Sequence, residues 1–256
     1  MFDFLHKKPR PIFSVLGTDV HSHLLPAVDD GSQCLEDTIH CLNIMREVGF
    51  EKAVITPHYQ YPRFPNVESD IEVRYAALNN ALQAHPDYNG PQLIGVAGEY
   101  RVDSGFGVRI GQQNFLRIAG RYILIELSLH QQVMGLVEMV FDLQMKGYEI
   151  ILAHPERYPY LSVESQLLER LKDMGVMFQT NILSLAGFYG ESSRYKAYSL
   201  IDEGWVELLG TDMHNPIYAK ALADATHDRR IEKLLETHQF FNSKIDSNEK
   251  IKTFKL

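Results

Sequence analysis

Tyr148-Glu149-Ile150-Ile151-Leu152-Ala153-His154-Pro155-Glu156-Arg157 is the stretch on which the reading of the fold turns. An apolar, β-branched run, 148–153, breaks off into an imidazole, a proline and a charged pair. A run this short, and apolar but for Glu149, suits a buried strand, as in a parallel sheet. The same texture recurs at 13–20, 52–56, 92–97, 122–127, 176–180 and 206–210. Helical periodicity separates most of these runs. Leu35, Ile39, Leu42, Met45 and Val48 lie on one helix face that ends at Gly49, and similar patterns occupy about 68–84, 132–146, 164–174, 191–203 and 217–237. Segment 103–118 is richer in glycine and reads as a loop with a short helix. Seven βα-like units without a composition break predict an α/β chain whose parallel sheet closes into a barrel; an open doubly wound sheet is the alternative. No linker divides the chain, so one domain is expected over residues 1–256, with 1–12 and 242–256 as candidates for mobility.

Composition narrows the function. Of 256 residues, 45% are hydrophobic and 23% charged, as in ordinary globular proteins. The formal charge of -8 argues against nucleic acid as the main partner. No apolar run approaches the roughly 18 residues of a membrane span, so no stable membrane insertion is expected. The basic Lys7-Lys8-Pro9-Arg10 stretch is followed by no apolar segment of the secretory kind, which predicts a cytoplasmic protein. Cys34 and Cys41 form no CxxC pair, and both are expected to be buried, inert thiols. No heptad seam predicts an oligomeric state.

The residues at the end of each predicted strand are more informative. The first strand runs into His21 and His23, the second into Thr56-Pro57-His58, and the third into Gly98-Glu99-Tyr100. The fourth carries Glu126, the fifth ends in His154-Pro155-Glu156-Arg157, and the seventh in Thr211-Asp212-Met213-His214-Asn215. The sixth offers only Asn181, a weaker ligand. In barrels of alternating β and α units the C-terminal strand ends form one face, where active sites lie. Each feature alone has a plain explanation. An HxH pair arises by chance, a strand-end Glu is usually solvated, Asp29-Asp30-Gly31 suits a turn before a Ser32 N-cap, and Arg157 could pair with Glu156 at the surface. His6, His40, His85, His130, His227 and His238 fall in predicted helices or tails and read as incidental. The joint pattern is what resists a structural explanation, because buried carboxylates and imidazoles are costly without compensating charge. Gathered in one pocket, Asp30, Glu99, Glu126 and Asp212 would bring four negative charges together, and some would protonate unless cations were bound. Two divalent ions would roughly neutralise them, and three would leave a net positive pocket suited to a phosphate monoester. Nitrogen and oxygen donors without thiolate suit Mn²⁺, Zn²⁺ or Fe.

The runs Asp19-Val20-His21-Ser22-His23-Leu24-Leu25-Pro26, Asp29-Asp30-Gly31, Thr56-Pro57-His58, Gly98-Glu99, Leu152 to Tyr158 and Thr211 to Asn215 resemble, in order, the polymerase and histidinol phosphatase (PHP) superfamily. The Asp-Asp-Gly run after His-Ser-His-Leu-Leu-Pro and the His-Pro-Glu-Arg-Tyr run narrow the likeness to its bacterial protein-tyrosine phosphatases of the capsule and exopolysaccharide type (CpsB/YwqE-like). That resemblance implies a distorted TIM-like (β/α)7 barrel, the PHP fold, with three divalent ions, Mn²⁺ foremost and Fe or Zn²⁺ as alternatives. Carried over position by position, the metal ligands would be His21, His23, Asp30, His58, Glu99, Glu126, His154, Asp212 and His214. The resemblance also implies phosphate-holding arginines. Arg157 matches one; after Asn215 the family's second has no counterpart, and Lys220 is the nearest cation, a point charge where a planar guanidinium is expected.

The implied activity is hydrolysis of phosphotyrosine by metal-activated hydroxide, with Arg157 stabilising phosphoryl charge and His58 or Asp212 assisting the leaving group. The implied partner is a phosphotyrosine protein, a bacterial tyrosine kinase that controls polysaccharide synthesis. A cysteine-based tyrosine phosphatase is excluded, since the position six after Cys34 is His40 and six after Cys41 is Glu47, neither an arginine. Histidinol-phosphate phosphatase or another small-molecule phosphomonoesterase is the nearest rival, ahead of a PHP-type nuclease. A non-catalytic metal-binding regulatory module should have lost ligands, and none is missing. Two aromatic stretches, 59–65 after His58 and 183–190 after the sixth strand, are candidates for specificity loops or for plain packing.

Overall fold

The computed structural model describes residues 8–245. Among these residues the strands are β1 (Thr18–Asp19), β2 (Lys52–Ile55), β3 (His58–Tyr59), β4 (Gln92–Val96), β5 (Glu99–Arg101), β6 (Tyr122–Glu126), β7 (Glu149–Ala153), β8 (Met177–Asn181) and β9 (Val206–Gly210). The helices are α1 (Leu35–Glu47), α2 (Glu68–Ala84), α3 (Phe106–Gln112), α4 (Leu136–Met145), α5 (Gln166–Asp173), α6 (Ile182–Leu185), α7 (Glu191–Asp202), α8 (Pro216–Ala225) and α9 (Arg229–Thr237). All strand pairs are parallel, in two sheets of order β1-β2-β4 and β3-β5-β6-β7-β8-β9. β2 lies within the predicted run 52–56, and the strand resumes as β3 beyond Thr56-Pro57, where proline has no N–H to give the ladder. β4 similarly lies within the predicted run 92–97, and the strand resumes as β5 beyond Ala97-Gly98.

Seven strand positions therefore follow one another, and the two ends of the series meet without a regular ladder. At the C-terminal ends, one parallel bridge joins Ser22 to Met213, flanked by Asp212 N–H to His21 O and His23 N–H to Met213 O, both 2.8 Å. At the other end the buried Asn242 side chain fills the gap. It donates to Thr18 O at 2.9 Å and Leu209 O at 2.6 Å, and accepts from Leu209 N–H at 3.0 Å. One amide thus satisfies backbone groups that a ladder would otherwise pair. Asn242 and Ile245, at the start of the C-terminal stretch, are buried.

Four expectations are corrected. Segment 13–20 is not one strand: residues Ile12–Val15 form a 3-10 turn, and Gly17 at φ 67° swings the chain into the two-residue β1. Segment 217–237 is two helices, broken where the Asp228 carboxylate caps the Arg230 amide at 2.8 Å. Ser32 is not an N-cap, because its hydroxyl bonds Cys34 O and Thr38 Oγ1 and α1 starts at Leu35 with Cys34 in the cap position. Cys34 is consequently exposed, whereas Cys41 is buried, and burial raises its thiol to about 12.

Period-two alternation divides the core. Ile123, Ile125, Leu152, Phe178 and Leu209 pack toward the helices in the larger apolar cluster. Tyr122, Leu124, Ile151, Met177 and Leu208 form a separate inner cluster with Val20 and Val54. Following the inner positions toward the strand ends leads from Leu124 to Glu126 and from Met177 to Gln179 and Asn181, all buried.

Candidate metal centre

The turns after the strands bring the sequence-selected groups into contact. His21 Nε2 and His23 Nε2 are 3.1 Å apart. Glu99 lies between them and two further imidazoles, its oxygens 3.3 Å from both His21 Nε2 and His23 Nε2, 2.9 Å from His58 Nδ1 and 3.2 Å from His154 Nε2. Asp212 Oδ1 is 3.5 Å from His21 Nε2, 3.3 Å from His23 Nε2 and 3.5 Å from His214 Nδ1. Asp30 Oδ1 approaches His58 Nε2 at 3.4 Å and His214 Nε2 at 3.8 Å, and Glu126 lies 3.8 Å from both His58 and His154. All nine positions form one continuous cluster. Within it, donor atoms converge in three groups suited to a metal ion: His23, His58 and His214; His21, His23 and Glu99; His58, Glu99 and Glu126.

Local sequence explains this aim. Gly31 lets the 29–31 turn press against His23, since a Cβ there would stand 2.0 Å from His23 O. The turn places Asp29 to accept from His23 Nδ1 at 2.9 Å and from the His58 amide at 2.9 Å, while Asp30 faces the cluster. His21 Nδ1 donates to Gln179 Oε1 at 2.7 Å, and His214 Nδ1 to Asp212 O at 2.8 Å. In these three histidines Nδ1 is engaged, which turns Nε2 inward, as in metal-bound imidazoles. Asn181 holds Asp212 from behind at 2.7 Å. Asp19 accepts from the Thr211 amide and hydroxyl at 2.8 and 3.0 Å, fixing the start of the Asp212 turn. His154 and Asp212 both adopt left-handed backbone, φ 33° and 50°, a strain that non-glycine residues sustain where the surroundings hold them.

Electrostatics bear on whether cations fit. Burial would raise Glu99 and Asp212, yet His21 and its neighbouring imidazoles outweigh it and hold both carboxylates well below their ordinary range. Burial would likewise lower His21, but Glu99 and Asp212 raise it to about 9. Burial, reinforced by the Glu99 charge, lifts Glu126 to about 7. Burial and the nearby His23 lower His214 to about 4. Imidazole protons are thus the counter-charge on which the carboxylates rely. His154 Nδ1 is buried without a hydrogen-bond partner, and Glu99 Oε2, Glu126 Oε2 and His58 Nδ1, although 2.9–3.2 Å from charged neighbours, are not aligned with them as hydrogen bonds. Divalent cations would replace those protons and satisfy inward oxygen and nitrogen atoms, so the donor set fits them.

A cavity of about 260 Å³ opens on the cluster, bordered by Arg63, Arg101 and Arg157. Arg157 Nη1 donates to Asp212 Oδ2 at 2.9 Å, and its guanidinium lies 4.2 Å from the centre of the Tyr189 ring. It is not paired with Glu156, which is buried and accepts from the Asn181 amide and Ser184 hydroxyl at 3.0 and 2.6 Å. Lys220 is not brought into the cavity. Its ammonium sits on the exposed face of α8 and bonds Asp224 at 2.7 Å, because four residues along a helix is the natural reach of such a pair. Arg101, 3.2 Å from Glu126 and also donating to Leu127 O, and Arg63, 3.1 Å from Asp30, are cations that the sequence reading missed. Gln179 was missed too, although a polar residue inside an otherwise buried strand was its available signal. His40, His85, His130, His227 and His238 take no part in the cluster, and His6 lies outside the described residues.

A seven-position α/β barrel with imidazole and carboxylate donors gathered at its C-terminal strand ends defines the class. The chain belongs to the CpsB/CapC family of capsular polysaccharide synthesis, whose profile matches residues 17–242. Among its relatives is the tyrosine-protein phosphatase YwqE of Bacillus subtilis, 28% identical over 201 residues, 77% of each chain. The tyrosine-protein phosphatase CpsB of Streptococcus pneumoniae is 26% identical over 204 residues, 77% of this chain and 82% of that one. Among solved structures, a chain from the pair YwqE of Bacillus subtilis and CpsB of Streptococcus pneumoniae, described as metal-dependent tyrosine phosphatases, shares the fold. The TM-score is 0.79 at 24% identity, over 91% of this chain and 96% of that one. A phosphotriesterase homology protein of Escherichia coli shares it more loosely, with a TM-score of 0.52 at 14% identity over 89% and 94%.

Proposed function

We propose that this protein is a metal-dependent protein-tyrosine phosphatase that hydrolyses phosphotyrosine on a bacterial tyrosine kinase governing capsule or exopolysaccharide synthesis. The observation that carries the reading is the convergence of nine imidazole and carboxylate groups beneath a cavity bordered by guanidinium groups. The family and the activities of its named relatives support the substrate class. His21, His23, Asp30, His58, Glu99, Glu126, His154, Asp212 and His214 would hold three divalent ions, Mn²⁺ first among the candidates. When bound, these ions supply Lewis acidity and a water-derived nucleophile at neutral pH.

The chain's own residues do the rest. Arg157 presents a planar donor pair to the phosphoryl oxygens, and stacking on Tyr189 limits its rotation. Asp212, held by Asn181 and Arg157, keeps one oxygen toward His21 and His23. His58 borders the cavity with its side chain 12% exposed, which supports a part in assisting the leaving phenolate. No helix among the described residues is long and apolar enough to cross a membrane.

The test compares a phosphotyrosine peptide, histidinol phosphate and a phosphodiester, each with chelated and Mn²⁺-reloaded protein. Peptide turnover that disappears in chelator and returns with Mn²⁺ is expected. Turnover that persists in chelator removes the metal from the reading, and a preference for histidinol phosphate replaces the substrate.

A further inference from the structure

A second cavity, about 460 Å³, lies beside the first and shares two wall residues with it, Gln60 and Arg101. β3 and β5 run side by side, with His58 opposite Glu99 and Tyr59 opposite Tyr100. Their first residues face the candidate metal centre, and the residues just beyond them, Gln60 and Arg101, stand in the partition between the cavities. Past that partition the walls become more apolar. Tyr61, Phe64 and Pro65 come from the loop after β3, and Phe106 and Val108 come from α3. Tyr61 and Val108 are 66% and 65% exposed, large apolar surface left in water beside an ionic site. The Phe64 ring stacks on His58 at 5.7 Å with only 6° between planes, so the apolar wall begins against the centre itself.

We propose that this cavity is a substrate subsite that takes a large apolar side chain of the polypeptide carrying the phosphotyrosine. The inference deepens the phosphatase reading and rests on it. Continuity with the metal centre identifies the occupant. An extended peptide advances about 3.3 Å per residue, so a cavity starting two residues beyond His58 and Glu99 is reached by a side chain within three positions of the phosphotyrosine. A phosphorylated small metabolite would leave this space unused. The charged residues in the wall do not call for an ionic occupant. Asp103 already accepts from the Tyr61 and Gly105 amides at 2.7 and 2.8 Å, and Arg109 is paired with Glu68 beside the Tyr59 ring. What remains open to an occupant is mainly aromatic and aliphatic, with Gln60, Ser104 and Gln112 as neutral polar groups among it.

The experiment uses the metal-loaded full chain and alanine-based phosphotyrosine heptapeptides with Phe, Ala or Asp at each of three positions on either side of the phosphotyrosine. p-Nitrophenyl phosphate is assayed in parallel. At one of these positions Phe should lower KM by about fivefold or more relative to Ala, with kcat little changed, because such binding is the same in ground and transition states. Val108→Asp and Tyr61→Ala should each bring the Phe-to-Ala ratio toward one. Equal KM for all peptides, or a preference that survives both substitutions, overturns the subsite while p-nitrophenyl phosphate turnover leaves the phosphatase reading standing. Failure of every substrate, p-nitrophenyl phosphate included, overturns the phosphatase reading and the subsite together.

Discussion

The inner face of the barrel is two different materials within one strand. On β6, Leu124 packs with Ile151, Met177 and Leu208, while two residues on, Glu126 lies against His58, His154 and Arg101. On β8, Met177 belongs to the apolar layer, and Gln179 and Asn181 hold His21 and Asp212. Burial is alike at both levels, so the contrast is chiefly one of side-chain chemistry. The lower layer stabilises by removing apolar surface from water. The upper layer confines carboxylates whose charge burial opposes, and they persist through imidazole protons, guanidinium partners and, on the proposed reading, cations. Stability should reside below and activity above.

The largest effect should separate these roles outright. Asp212→Ala should lower kcat on an aryl phosphate by about a thousandfold or more, while circular dichroism shows the fold retained. Near-normal turnover would remove Asp212 from the reaction. Next, Leu124→Ala should cost about 2–5 kcal/mol in denaturant unfolding, through lost transfer energy and a cavity. Glu126→Gln should change the stability of metal-free protein by about 1 kcal/mol or less yet impair metal-dependent turnover. If the two substitutions cost equal stability, the division into layers fails.

A smaller effect sharpens the upper layer. In metal-free protein, His21 has a folded pKa of about 9, above the ordinary imidazole range. Its contribution to stability is fully present below about pH 6.5 and is lost as pH rises through about 9. His214, lowered to about 4, acts in the opposite sense but only below about pH 6.5, so it leaves that upper window to His21 and to His23 and His58, which are raised as well. Thermal unfolding of chelated protein should therefore weaken between about pH 6.5 and 9, and metal loading should flatten the slope. An equal slope in both forms would show that cations do not replace the imidazole protons. The smallest effect is expected outside the cavity: Lys220→Ala should leave KM and kcat for an aryl phosphate within about twofold. A large rise in KM would return Lys220 to the site.

Legibility in the sequence followed the range of the interactions. The seven strand positions could be read because continuous apolar runs and helical periodicity are local patterns. The break at 226–228 could not, because Asp228 turns a continuous-looking pattern into a new helix start through its own cap. The two-residue β1 escaped because Phe13 and Leu16 are as buried as strand residues would be, and apolar composition does not distinguish a 3-10 turn from a strand. Among site residues, strand-end position picked out His58, Glu99 and His154 by itself. For Arg157, local sequence left a surface pair with Glu156 open, and only the packing of Glu156 into the core leaves the guanidinium to Asp212.

By itself, the sequence determined which strand ends carry imidazole or carboxylate, because side chains at the ends of parallel strands share one face whatever the details of packing. It also determined that no cysteine-based phosphatase loop exists, since that chemistry requires a fixed local spacing. Only the tertiary structure decided which cations border the cavity. Arg63 and Arg101 arrive from the β3 loop and the end of β5, while Lys220 is carried away by the turn of α8. It also decided how the barrel closes, with Asn242 placed between Thr18 and Leu209, residues more than two hundred and more than thirty positions away. Side-chain contacts over such separations depend on the path of the whole chain, and no local pattern of residues encodes them.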